Sequence, residues 1–185
     1  MKHLITATLI SLLLAPIFSA HAEEVPASVK ALAPSLAEWG KNPLLVAAVK
    51  EQNAQGMSLD MIKEKDKAWM ATSGIDDNMK AMMSNGAAKE LARLEASKPY
   101  FTEVFLMDNQ GANVAMTNKT SDYWQGDEAK FKESFAGGSG AIHIGEVKFD
   151  NSAQAYLVQV SVPVVDGGSA IGALTIGVNL DELDQ

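Results

Sequence analysis

The sequence predicts an α+β domain built on an antiparallel five-stranded sheet, and three observations predict it. Apolar residues recur at helical spacing through residues 25–98. The period drops to two over residues 99–180, and the strand-like runs there are separated by turn signals short enough for hairpins. Helices gathered ahead of the strands, rather than alternating with them, argue against a parallel βαβ sheet.

The chain opens on what reads as a processing signal. MKH supplies a positive start, LITATLISLLLAPIF an apolar run, and SAHA a small-residue ending ahead of Glu23. Cleavage after Ala22 is the expectation, because a membrane span needs roughly 20 apolar residues and this run is shorter and interrupted by Pro16. Retention as an anchor is the alternative. Residues 23–185 then form one exported domain, large enough to close a core. The chain has no cysteine, so packing alone must hold it in an oxidising compartment, and thiolate catalysis and thiolate metal sites are excluded. Loss of residues 1–22 removes Lys2 and leaves 14 Lys plus Arg against 23 Asp plus Glu, a net charge of −9. Such a surface repels nucleic acid and anionic lipid, so neither is an expected partner.

Within the helical part, SLAEWGKNPLLVAAVKEQNAQG turns Leu36, Trp39, Leu44, Val46 and Val49 inward, with Pro34 and Pro43 kinking or restarting the helix. Ser58 is placed to cap MSLDMIKEKDKAWM, where Leu59, Ile62, Asp66 and Trp69 share a face. IDDNMKAMMSNGAAKELARLEAS reads as one helix, with Asp76 and Asp77 at the positive end of its dipole and an apolar stripe of Met79, Met82, Met83, Leu91 and Leu94. Gly86 and Ala87 leave a place for another element to approach.

In the strand part, TEVFLMD and ANVAMT flank DNQG, residues 108–111, as a hairpin whose turn Asp108 organises through its own backbone. AIHIGEVKF, AQAYLVQVSVPV and AIGALTIGVNL follow as a meander, with FDNS and VDGGS as the turns. The last two runs are apolar on both faces, as strands covered on both sides are.

Little in the chain offers reaction chemistry. After cleavage His143 is the remaining histidine, in a strand pattern that favours a structural role. No G-x-S-x-G elbow opens a helix, and GGSG at 137–140 precedes a strand and reads as a connector, so no enzyme is expected. With one His and no Cys, zinc has no ordinary ligand set. Asp122, Asp127 and Glu128 offer oxygens but miss the twelve-residue calcium pattern. The methionines fall at core spacing rather than as a copper site. No metal or cofactor is expected.

The W-x-x-N-P-x-x-x-x-A-x-K centre starting at Trp39, the DNQG turn, the TSDYWQGDEAKF segment at 121–132 and the closing VPVVDGGSAIGALTIGVNLDEL hairpin together resemble the extracytoplasmic PAS-like sensor domains called Cache domains. The resemblance is to the single-module form and runs from about Leu36 to Leu183. It implies a PAS-like sheet with the long N-terminal helical segment across one face and a ligand pocket on the other, beneath residues 117–135. It places Thr117, Lys119, Asp122, Tyr123 and Trp124 over that pocket and Tyr156 on the central strand below. Arg93, the sole arginine, and Lys119 are the candidate anchors for a carboxylate, since a guanidinium can hold one at two points. The other reading of Arg93 is a surface pair with Glu90.

Cache domains sit between two membrane helices and report occupancy inward. Here the first apolar run reads as cleavable and the chain stops where the outgoing helix would begin, so the expectation is a detached module. The expected function is non-catalytic binding of a small carboxylate or amino acid in the periplasm. A membrane-bound receptor or kinase would be its partner, and the protein would be a monomer or a weak homodimer through the N-terminal helix. The alternative is an interaction or structural protein whose pocket is filled by its own side chains and which docks to, or dimerises with, a membrane sensor.

Overall fold

A computed structural model describes residues 24–151 and 154–183; the expected signal segment lies outside the described residues. The first helical run divides where its chemistry says it should. Helix α1 (Ala27–Trp39) tolerates Pro34 in its interior and ends at Gly40. Helix α2 (Pro43–Ala54) restarts with Pro43 at its first position and Asn42 as N-cap, the Asn42 side chain accepting from the Leu44 N–H at 2.9 Å. Leu45 takes the buried position expected of Leu44, which is exposed, because α2 begins afresh and sets a new helical phase. Helix α3 (Leu59–Ala71) has Ser58 as its cap and buries Ile62 and Trp69, while Leu59, still in the first turn, stays exposed.

The third helix is two. Helix α4 (Asp77–Ser84) and helix α5 (Gly86–Glu95) meet at Asn85, whose extended backbone ends one and whose side chain caps the other by accepting from the Ala88 N–H at 2.8 Å. Its amide also donates to the Val114 carbonyl at 3.1 Å. Gly86 is therefore a helix start and has nothing packed against it, whereas Ala87 is buried as expected.

Strands β1 (Phe101–Met107) and β2 (Asn113–Met116) form the expected hairpin. Asp108 Oδ1 accepts from the Gln110 and Ala112 N–H groups at 2.8 and 2.9 Å, as its role in the turn requires. Helix α6 (Ala129–Phe135) follows, then a 3-10 turn at Ala136–Gly138. The expected third strand is broken into β3 (His143–Ile144) and β4 (Lys148–Asp150). Its pairing with β5 (Ala155–Asp166) slips by one residue between Ile144↔Val160 and Lys148↔Leu157, so residues 145–147 carry the extra residue of a bulge. Strand β6 (Ser169–Asn179) closes the sheet through a two-residue turn, Gly167–Gly168, with positive φ at both positions as a type I′ hairpin requires. A last turn of helix, α7 (Leu180–Leu183), follows.

The sheet order is β2-β1-β6-β5, with β3 and β4 both pairing with β5 at the far edge. All its pairings are antiparallel, which gives the PAS-like α+β architecture once β3 and β4 are counted as one interrupted strand. Alternation assigns the faces. Val104, Leu106, Val158, Val160, Val162, Leu174, Ile176 and Val178 point to one side, where Val29, Leu36, Leu45, Val49, Leu91 and Leu94 of α1, α2 and α5 cover them. Phe105, Met107 and Ala173 point to the other, and there Ile62 and Trp69 of α3, Met79 and Met82 of α4, Tyr123 and Phe131 join them. The helical segment thus crosses one face with α1, α2 and α5, and its middle helices fill part of the other.

Candidate functional site

The filled part is the place beneath the TSDYWQ loop. Tyr123 is 1% exposed and packs against Trp69 with ring centroids 5.8 Å apart. The loop is fastened from three directions. Asp66 Oδ1 accepts from the Tyr123 and Trp124 N–H groups at 2.8 and 3.0 Å. Trp124 Nε1 donates to the Gln110 carbonyl at 2.7 Å, and the Tyr123 carbonyl accepts from the Asn113 N–H at 3.0 Å. The Asp122 carbonyl gathers donors from Asn113, Thr120 and Gln125. Burial pushes the Tyr123 hydroxyl well above its ordinary range, with the charge of Asp108 adding to it. Lys65 lies 4.2 Å from the centre of the same ring, and burial lowers its pKa against the opposing pull of Asp76 and Asp108.

The remaining residues of the expected site are scattered. Thr117 closes the β1–β2 ladder, its hydroxyl accepting from the Val104 N–H at 3.0 Å. Lys119 Nζ donates to the Thr72 and Gly74 carbonyls, both at 2.9 Å, and so caps the end of α3. Arg93 makes two bonds to Glu90, at 2.9 and 2.7 Å, and stays exposed on α5. That bond, followed by Asn42's, holds the Glu90 carboxyl below its ordinary range. Tyr156 shares the parity of Val158 and Val160 on β5, so it belongs to the face opposite Tyr123, and its ring stacks edge-on with Phe149 at 5.2 Å. Tyr123, Trp124 and Asp122 are brought together; Tyr156 and Arg93 are not brought to them.

On the same face as Tyr123, toward the β3–β4 edge, the sheet is open. A cavity of about 770 Å³ lies between α6 and the bulged edge strands. Its floor is Glu103 of β1 with Leu157 and Gln159 of β5. Register explains the space: Glu103 and Gln159 are both partners of Gly177, and a side chain at Gly177 would meet Glu103 Cγ at 2.5 Å. Without one, Gln159 Nε2 reaches across β6 to donate to Glu103 Oε1 at 2.8 Å. The next row runs Phe105, Thr175, Ser161, His143, with the Ser161 and Thr175 hydroxyls bonded at 2.8 Å and buried.

The walls carry charge. From α6 and its N-cap come Glu128, Lys130 and Glu133; from the edge come His143, Glu146, Lys148 and Asp150. Lys130 Nζ pairs with Glu128 at 3.1 Å and lies over the Phe105 ring. His143 Nδ1 meets Glu133 at 2.7 Å and ties the edge strand to α6. His143 therefore does join elements, but at the cavity rather than in the core. Among the described residues, no group of His, Cys, Asp and Glu is arranged to hold a metal ion. Nor is any helix long and apolar enough to cross a membrane.

Glu103, Gln159 and Lys130 are missing from the site that sequence reasoning assembled. Their signal was available: Gln159 and Ser161 interrupt an alternating valine run, which marks the non-valine face of β5 as polar.

No family model and no curated protein sequence matches the chain. Among solved structures, it is similar to the sensor domain of the V. cholerae histidine kinase DctB, at 14% identity and a TM-score of 0.48, over 86% of this chain and 52% of that one. It is also similar to the sensory domain of the Campylobacter jejuni chemoreceptor Tlp3, at 13% identity and a TM-score of 0.44, covering 85% and 64% of the two chains. A third is the ligand-binding domain of the Pseudomonas aeruginosa PAO1 amino acid chemoreceptor PctC, crystallised with GABA, at 15% identity and a TM-score of 0.38, covering 82% and 63%. These are Cache-type sensor domains, the family that the sequence resembles. The chain spans about half to two thirds of their lengths, and the likenesses are loose, so the description of the fold rests on the strand order itself.

Proposed function

We propose that this protein is a non-catalytic binding module for a small polar metabolite, and that it works after export, with a membrane-bound receptor or kinase as its partner. The observation that carries the reading is the cavity of about 770 Å³ over the Glu103–Gln159 floor, within the size range of small-molecule sites. Its walls hold both signs of charge. Lys130 and His143 are engaged by Glu128 and Glu133, while Lys148 can meet a carboxylate and the acidic residues an ammonium group, which suits an amino acid or a short carboxylate. Tyr123, Trp124, Asp122, Lys119 and Thr117 then form the framework that fixes α6 beside the cavity, rather than a surface touching the ligand.

A thermal-shift screen against amino acids, amines and organic acids tests this. A ligand at 100 times its dissociation constant adds about 2.7 kcal/mol, a rise of roughly 5–11 °C for a domain of this size. A flat screen across all three classes would sink the reading.

One observation favours a second reading. Tyr123 and Trp69 occupy the space under the loop, and Leu59, Met61, Met70 and Ile75 are exposed on α3 and the turn after it. An interaction protein would present such a face, and it would combine a flat screen with a dimer in sedimentation.

A further inference from the structure

We infer that Glu103 is the ligand's anchor and that the group it holds is an ammonium, so that the cavity selects amines over bare carboxylates; this rests on the binding reading above. On the α6 side of the lining, Lys130 is already paired with Glu128, and the His143 imidazole is engaged by Glu133. Glu103 is different. It is the one carboxylate of the cavity that rises from the sheet floor, it is half-buried, and Oε1 is fixed by the neutral amide of Gln159.

Two features make Glu103 an anchor rather than a surface acid. The missing side chain at Gly177 gives the carboxylate and the amide the room to meet across a strand. The amide also orients the carboxylate while leaving its charge uncompensated, and an ammonium donating to it would supply the charge-assisted bond that Gln159 does not. By count the lining holds more acids than bases, with Glu103, Glu128, Glu133, Glu146 and Asp150 against Lys130, Lys148 and His143. A bare dicarboxylate entering this space meets repulsion from the floor. An amine, a diamine or an amino acid presenting its ammonium downward does not.

Titration calorimetry with lysine, leucine, 1,4-diaminobutane and succinate, on the unaltered protein and on Glu103→Gln, tests the assignment. The amine-bearing probes are expected to bind and succinate not to. Glu103→Gln should weaken the amines by about tenfold or more, the scale of losing one hydrogen bond to a charged group, with the melting temperature of the unliganded protein kept. If Glu103→Gln does not fold, Gln159→Met, which frees the carboxylate without removing it, should weaken the same probes severalfold. Succinate binding as tightly as the amines, or amine affinities unchanged in these variants, would overturn the anchor and leave the binding reading standing. If neither these probes nor any member of the wider screen binds, both fall.

Discussion

Asp66 does the most for the loop that holds the two adjacent aromatics. One of its oxygens accepts from two successive backbone N–H groups, and those donors have no other partner of comparable geometry. Asp66→Ala should therefore cost about 1–3 kcal/mol, because two part-buried donors are left for water to satisfy incompletely; denaturant melts read it directly. Trp124→Ala should lower the melting temperature through the lost packing and the lost Gln110 bond, while any ligand keeps its affinity within about twofold, the scale of a few tenths of a kcal/mol. A variant that loses affinity and keeps its melting temperature would make the indole a ligand contact after all.

Glu95 is a residue-scale test of a different kind. Burial pushes its carboxyl up, the charge of Glu103 adds to this, and a bond from Thr117 opposes it. Its Oε2 is buried without a hydrogen-bond partner. The folded state thus holds the proton more tightly than the unfolded chain does. The stability contributed is present below the ordinary carboxylate value and is lost as pH rises through the higher folded value. Glu95→Gln should melt higher than the unaltered protein at neutral pH and should lose that part of the pH slope. An unchanged slope across this window would place the carboxyl in water.

At the scale of elements, Asn85 decides how the helical segment wraps the sheet. A continuous helix through 76–98 could not put Met79 and Met82 on one face of the sheet and Leu91 and Leu94 on the other, as the break at Asn85 allows. Asn85→Ala should cost about 1–2 kcal/mol for the cap, and more for the bond to Val114. Asn85→Asp keeps the cap and should recover that part of the loss alone, because a carboxylate has no N–H to offer the Val114 carbonyl. The break was hard to read from sequence because S-N-G sits inside an unbroken run of apolar spacing, and a capping Asn looks like a tolerated interior one. The split of the third strand was equally hidden, since AIHIGEVKF alternates through Gly145 without a turn signal. By contrast, Asn42–Pro43, Ser58, Asp108 and Gly167–Gly168 each announce a boundary through backbone chemistry that tertiary packing does not override.

For the molecule as a whole, the helices-then-strands order was legible and carried the architecture with it. The location of the opening was less so. The family resemblance put the pocket beneath residues 117–135 with the aromatic pair over it, and the fold packs Tyr123 with Trp69, Met79 and Met82 there, on the β1–β2 side, where α3 and α4 arrive. The space that remains is set by register, by the alignment of Glu103, Gly177 and Gln159 across three strands, which pattern within any single strand does not display. Parity did hold the clue that Tyr156 belongs with the valines.

The most direct test of the cavity as the ligand site is an amide chemical-shift map of the protein titrated with the strongest binder from the thermal screen. The structure predicts that the changes centre on Ala129–Glu133 of α6, on residues 143–150 of the edge, and on Glu103 and Gln159 of the floor. Changes centred on Lys65, Trp69 and Tyr123, with the α6 and edge resonances unmoved, would contradict it and return the site to the space beneath the loop.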